Sequence, residues 1–392
     1  MVSARIRSID IFRGLTMLVM IFVNEAAGVK GLPWWTYHMP GGQNGMTYVD
    51  VVFPTFLFIV GLSIPLAIRR RLEHGHSMPS LWAYIFMRAV SLIVIGIVLA
   101  NADGADPHAT GMRPGVWSLL ALTGAVLFWL AYPSTPGRPL LFRVLKFGGL
   151  ALLIAMLAIF RRSTPAGEAW LDFSYWEILG LIGRAYLAAC ILYVPFRKKV
   201  WAPAVWLVVL TAWNIGSRMG MPNPAHLFPY WLWPFDSGEL PAVVMAGIVT
   251  AMIFVDNRLA SNVHEKVWWA VGYAAILFTA GRAFQFLGIS KNAATPTWCL
   301  YCSGIAVVLF LILYWVADVR GHSRWAAFVK PAGSNTLLTY LLPDLYYFAT
   351  LAVGISLPWR TGWPGAIWAV VFTGCILGVS YLLTRQKIRM QL

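Results

Sequence analysis

The sequence predicts an all-α protein: a polytopic integral membrane bundle of 11–12 transmembrane helices with N- and C-termini cytoplasmic. Three observations carry that expectation. Hydrophobic residues make up 59% of the 392 and charged residues only 11%, whereas a soluble domain carries about 25% charged residues; mean hydropathy is +0.69. Twelve stretches approach the roughly 20 mostly apolar residues that a spanning helix needs. The basic residues gather in alternate connections, nineteen on the side that bears both termini and seven on the other, which is the bias that orients membrane proteins.

In chain order the expected spans are 10–27, 48–68, 80–100, 115–132, 143–160, 175–195, 200–216, 240–257, 267–288, 297–317, 333–354 and 362–384. The first apolar run follows Arg5 and Arg7 and is not followed by an A-x-A-like site, so it is expected to stay as a helix. The longest loops, near 101–114, 161–174 and 217–239, are too short to bury cores of their own. Residues 1–392 therefore read as one transmembrane domain. The net charge of +15 sits in short clusters between apolar runs, which argues for membrane orientation and against nucleic acid as a partner.

Within this apolar chain the hairpin 7–70 is crowded with polar groups, and polar side chains beside a bilayer mark a functional site by default. Asp10 and Arg13 stand at the entrance of its first helix, Asn24 and Glu25 at its exit. His38, Gln43, Asn44, Thr47 and Asp50 fill the connection. His38 is suited to act as general base or acyl carrier because its side chain titrates near neutrality. Gly41, Gly42 and Gly45 let the backbone turn tightly around it, and Asp50 is placed to orient the imidazole. No H-x-x-x-H spacing occurs, so no metal is expected.

Four arginines fall inside expected helices: Arg13, Arg88, Arg184 and Arg282. A guanidinium at such depth pairs with a carboxylate or an anionic ligand, and both alternatives stand; Asp10 can meet Arg13 one turn away. The stretch PAGSNTLLTYLLPD (331–344) starts a helix that carries Ser334, Asn335, Thr339, Tyr340 and Asp344, polar groups of the kind that line a cavity or join helices. The outer aromatics Trp34, Trp35, Trp231, Trp233, Trp298, Trp359 and Trp363 read as an interface belt, with Trp34 and Trp35 close enough to His38 to stack a sugar ring. Cys190, Cys299, Cys302 and Cys375 read as packing residues.

The hairpin motifs R-S-I-D-I-F-R-G-L-T-M, F-V-N and H-x5-N-G-x-T-x-x-D-x-V-F-P-x-F-L-F-I-V-G-x-S-I resemble the heparan-α-glucosaminide N-acetyltransferase family. That family belongs to a transmembrane acyltransferase superfamily that also holds YeiB-like proteins. WEILGLIGRAYL, ISKNAATPTWCL and KPAGSNTLLTY are similar to its later blocks, and the length resembles its bacterial, NagX-type branch. The resemblance implies a bundle that passes an acetyl group from cytosolic acetyl-CoA to an amino sugar or glycan end across the bacterial inner membrane, with the His38 loop on the periplasmic side.

The family's histidine lies in an H-x-x-x-N-G element, and His38 matches it with two further residues before Asn44 and Gly45. The asparagine after F-V falls on Asn24, while tryptophan is commoner in the family where Arg184 stands. On these terms His38, Asp50, Asn24 and Asn44 are the catalytic candidates. Arg13, Asp10, Ser334, Asn335 and Tyr340 are candidates for acetyl-CoA, and Trp34, Trp35, Gln43 and Glu25 for the sugar. Membrane lipid is the surrounding partner, and a homodimer is one of the open assemblies. A sugar transporter, an accessory protein of sugar uptake and an O-acyltransferase are the competing readings.

Overall fold

A computed structural model describes residues 6–132, 139–222, 233–256, 258–355 and 359–392. Arg5, Arg138, His226 and Trp231 lie outside the described residues. Within them the chain forms twelve long helices. These are α1 (Arg7–Ala27), α2 (Val49–Glu73), α3 (Met78–Ala100), α4 (Val116–Trp129), α5 (Pro139–Ile159) and α6 (Glu177–Phe196), then α7 (Ala202–Arg218), α8 (Glu239–Val255), α9 (Val263–Ala283), α10 (Pro296–Tyr314), α11 (Thr336–Val353) and α12 (Gly362–Arg385). Each overlaps one expected span. Seven are long and apolar enough to cross a membrane by length and composition, and α4 and α8 are shorter apolar helices. The all-α polytopic expectation is borne out.

Local chemistry sets several helix starts. The Ser77 hydroxyl accepts the Ser80 N–H at the head of α3, with Pro79 in the first turn. Asn262 caps α9 by accepting the Glu265 N–H at 2.9 Å, and Glu265 accepts back from Asn262 and Ser261, a reciprocal arrangement that satisfies donors otherwise left open at a helix start. The first N–H groups of α1 are satisfied from far along the chain: Asp318 accepts from Arg7 at 2.8 Å and from Ser8 at 3.0 Å.

Among the described residues strand is confined to two short pairs. β1 (Leu130–Ala131) runs antiparallel to β4 (Arg389–Met390), and β2 (Arg162–Thr164) pairs with β3 (Gly167–Ala169) in the connection between α5 and α6. The first pair ties the C-terminal segment to the end of α4. Ile6 and Leu392 line one cavity, so both ends of the described chain lie at the same end of the bundle.

The centre of the bundle is α2 against α8. Gly61 and Gly247 let the two backbones touch: a Cβ on Gly61 would stand 1.9 Å from the Val244 carbonyl oxygen, and one on Gly247 would stand 2.0 Å from that of Phe58. Small residues of this kind are how membrane helices approach closely when no hydrophobic effect drives them together. The contact fixes the axis of α2, whose first turn carries Asp50.

Candidate active site

At the end of the bundle opposite the termini, the connection 28–48 folds over the N-terminus of α2. Asp50 is fully buried there, and its carboxylate is the hub. Oδ1 lies 2.7 Å from His38 Nδ1. Oδ2 accepts the backbone N–H of Thr47 at 2.9 Å, that of Met39 at 3.1 Å and the Thr47 hydroxyl at 3.4 Å. A carboxylate only accepts, so Nδ1 of His38 carries the proton it donates and Nε2 is left as the basic nitrogen. The His38 side chain is 40% exposed.

A proline sets the level below. Pro54 has no N–H, so the Asp50 carbonyl loses its helical partner four residues on. The indole N–H of Trp298 donates to that carbonyl at 3.2 Å. Trp298 was expected in the interface belt, but it is 1% exposed, drawn inward by the acceptor that Pro54 releases. Trp34, Trp35, Trp359 and Trp363 remain exposed.

The segment before α10 closes the other side. Asn44 Oδ1 accepts the Ile289 N–H at 2.7 Å, and the Gly45 N–H donates to the Ile289 carbonyl at 2.9 Å. A Cβ on Gly41 would stand 3.2 Å from Asn292 Nδ2. This clamp delivers Lys291, whose Nζ lies 3.0 Å from His38 Nε2. Burial pushes the Lys291 ammonium below its ordinary value, while the charge of Asp50 pulls the other way. In sequence Lys291 is only one of the seven basic residues on the side away from the termini. Its signal was its position inside ISKNAATPTWCL, one of the blocks that carried the resemblance.

The remaining expected residues divide into those brought to a shared space and those turned elsewhere. Gln43, Trp34 and Trp35 are exposed in the same connection as His38, and Asn24 is exposed at the end of α1; no hydrogen bond ties Asn24 to His38, Asp50 or Asn44. Glu25 is buried and faces Arg360 at 3.1 Å, an internal ion pair that turns it from the open loop.

At the opposite end a cavity of ≈ 910 Å³ runs into the bundle. Asp10, Arg13, Ser334 and Tyr340 line it, together with Arg69, Arg70, Arg71 and Arg88; Met20, Phe56 and Leu92 also contribute to its wall. Arg13 donates to Ser63 Oγ at 2.7 Å and to the Gly333 carbonyl at 3.3 Å, and stands 3.8 Å from Asp10, the adjacent-turn pair that the sequence suggested. Asn335 does not line the cavity. Its amide donates to the Ile388 carbonyl and to Thr384, and its oxygen accepts from Met390, so its polar atoms anchor the C-terminal segment. Arg184 is buried against Asp236 and the Trp233 carbonyl, an internal pair.

Fold and site together define a class: a polytopic helical membrane protein with an imidazole–carboxylate couple at one end and a cation-lined cavity entering from the other. The chain belongs to the family described as a domain of unknown function, DUF5009, which matches residues 5–227. It is similar to the heparan-α-glucosaminide N-acetyltransferase of Homo sapiens, at 41% identity over 369 residues, and to that of Mus musculus, at 27% over 372 residues. These alignments take in 87% and 86% of this chain and 53% of each relative. The chain thus spans about half the length of the curated relatives it matches. The resemblance carried by the first hairpin is borne out.

Proposed function

We propose that the chain is a membrane acetyltransferase that moves an acetyl group from acetyl-CoA, entering at the cytoplasmic end, to the amine of an amino sugar or glycan end at the other. In a bacterial inner membrane the His38 loop would face the periplasm. One observation carries the reading. The basic nitrogen of His38 is held over Asp50 at one end of α2, and the cavity from the other end reaches Phe56 on the same helix. Six residues of α-helix rise about 9 Å, so a donor extended through the cavity needs little further reach.

The geometry supports a direct acyl transfer. The acceptor nitrogen attacks the thioester carbonyl, a C–N bond forms and the C–S bond breaks. The amine proton passes to His38 Nε2, and the departing thiolate takes a proton in return. Asp50 holds Nδ1–H and so keeps the ring in the tautomer whose Nε2 carries no proton. Lys291 stands beside that nitrogen as a donor to the oxyanion of the tetrahedral intermediate. A two-step route with the acetyl group held on Nε2 uses the same couple. Trp34 and Trp35 offer exposed ring faces for the sugar, with Gln43 as a polar neighbour.

The test is acetyl-CoA turnover by purified protein in detergent with glucosamine as acceptor, comparing wild type with His38→Ala. Loss of transfer in the variant is expected. Retained acetylation would remove His38 from its role.

A further inference from the structure

We propose that Arg71, Tyr84 and Arg88 form an anion seat inside the cavity that takes the phosphate-bearing part of the donor, an organic diphosphate or phosphomonoester. The proposal rests on the acetyl-CoA reading and moves the phosphate contacts from Arg13, where the sequence suggested them, to α2 and α3.

Tyr84 is flanked by two guanidinium groups. Arg71 lies 3.3 Å from its ring centroid, and Arg88 Nη1 donates to its hydroxyl at 3.0 Å. Arg88 also lies over the Tyr186 ring at 5.3 Å. Its Nε is buried with no hydrogen-bond partner. Among the described residues neither Arg71 nor Arg88 pairs with a carboxylate, whereas two other arginines of the same cavity do: Arg13 with Asp10 and Arg69 with Glu73 at 2.8 Å.

Two like charges held around one phenol, one of them ten residues into a membrane helix, need a counter-charge. Stacking on aromatic faces returns less than dehydrating a guanidinium costs. A protein that needed this cluster only for packing could use apolar residues of similar volume at no loss. An anion in the cavity would supply that counter-charge, and guanidinium groups match the oxygens of a phosphate in pairs. A phosphorylated donor and an anionic lipid headgroup share that chemistry, so the test must separate them.

The measurement is calorimetric titration of the full chain in detergent with CoA, with phosphate-free pantetheine and with phosphatidylglycerol in mixed micelles. Wild type is compared with Arg88→Gln, Arg88→Lys and Arg71→Gln. The expected result is that each Gln variant weakens CoA binding at least tenfold and leaves pantetheine within twofold, while Arg88→Lys falls between. If Arg88→Gln does not fold, Arg71→Gln decides. CoA binding within twofold of wild type in the Gln variants overturns the proposal, as does loss of phosphatidylglycerol binding with CoA binding intact. Arg88-dependent CoA binding by a protein that acetylates nothing keeps the seat and removes the acetyltransferase reading. Transfer with an unchanged KM for acetyl-CoA in both Gln variants does the reverse.

Discussion

Lys291 Nζ and His38 Nε2 are separated by 253 residues of chain and by 3.0 Å of space. An ammonium that donates to an oxyanion must keep its proton, and burial makes Lys291 release it below the ordinary lysine value of 10.5. Acetyl transfer is therefore expected to fall as pH rises through that lowered value. Lys291→Arg stays protonated and moves the alkaline limb upward, and Lys291→Met lowers kcat by roughly 10²-fold or more, as loss of one oxyanion donor does. A pH profile of kcat for the three proteins checks both statements.

Asp50 orients the imidazole and also gathers the loop. Asp50→Asn keeps the shape but presents an amide where Nδ1–H needs an acceptor, so transfer should drop by about 10²–10⁴-fold with thermal stability nearly kept. Asp50→Ala should add a loss of stability, about 1–3 kcal/mol for each buried donor left open at Thr47 and Met39. Unfolding curves in detergent separate the two variants.

The α2–α8 contact leaves no room for side chains. Gly61→Leu or Gly247→Leu drives carbon into a carbonyl oxygen and is expected to cost about 3 kcal/mol or more. Gly148→Leu, which meets nothing within 4 Å, is the matched control. Midpoints of thermal unfolding give the comparison.

Arg184 and Asp236 are buried together, and Arg184→Met should cost about 3–5 kcal/mol by stranding the carboxylate. Burial pushes the Asp236 carboxyl up to about 6, against the pull of Arg184. The fold then holds a proton that the unfolded chain releases near pH 4. This group's contribution to stability accordingly grows as pH falls from 7 towards 4, since the native state binds more protons over that range. Asp236→Asn should flatten the slope, which unfolding midpoints at pH 7, 6 and 5 would register.

The twelve helices were legible because span length and apolarity are local properties, and each expected segment overlaps one helix. The His38–Asp50 couple was legible too, since His38 lies in the connection 28–48 and Asp50 in the first turn of α2, twelve residues apart with glycines between them. Lys291 was not, because its closeness to His38 comes from the clamp between Asn44 and Ile289, a contact no spacing rule reports. Trp298 was misplaced for a related reason. Its attraction inward depends on a carbonyl freed by Pro54, on a different helix. Glu25 and Asn335 looked available in sequence, but Arg360 and the 388–390 backbone hold them.

Between the innermost wall of the cavity, at Met20 and Phe56, and the His38 loop, the bundle is filled by Ile21, Val23, Val52 and Phe53, all buried. In an energised membrane most of the voltage drop would fall across this dry layer, at about 2.3 kcal/mol per unit charge for each 100 mV. An ion would feel that field and a neutral acyl group would not. On the proposed reaction the donor arm would cross this layer as a neutral thioester and return as a neutral thiol, so the transfer would carry no net charge through it.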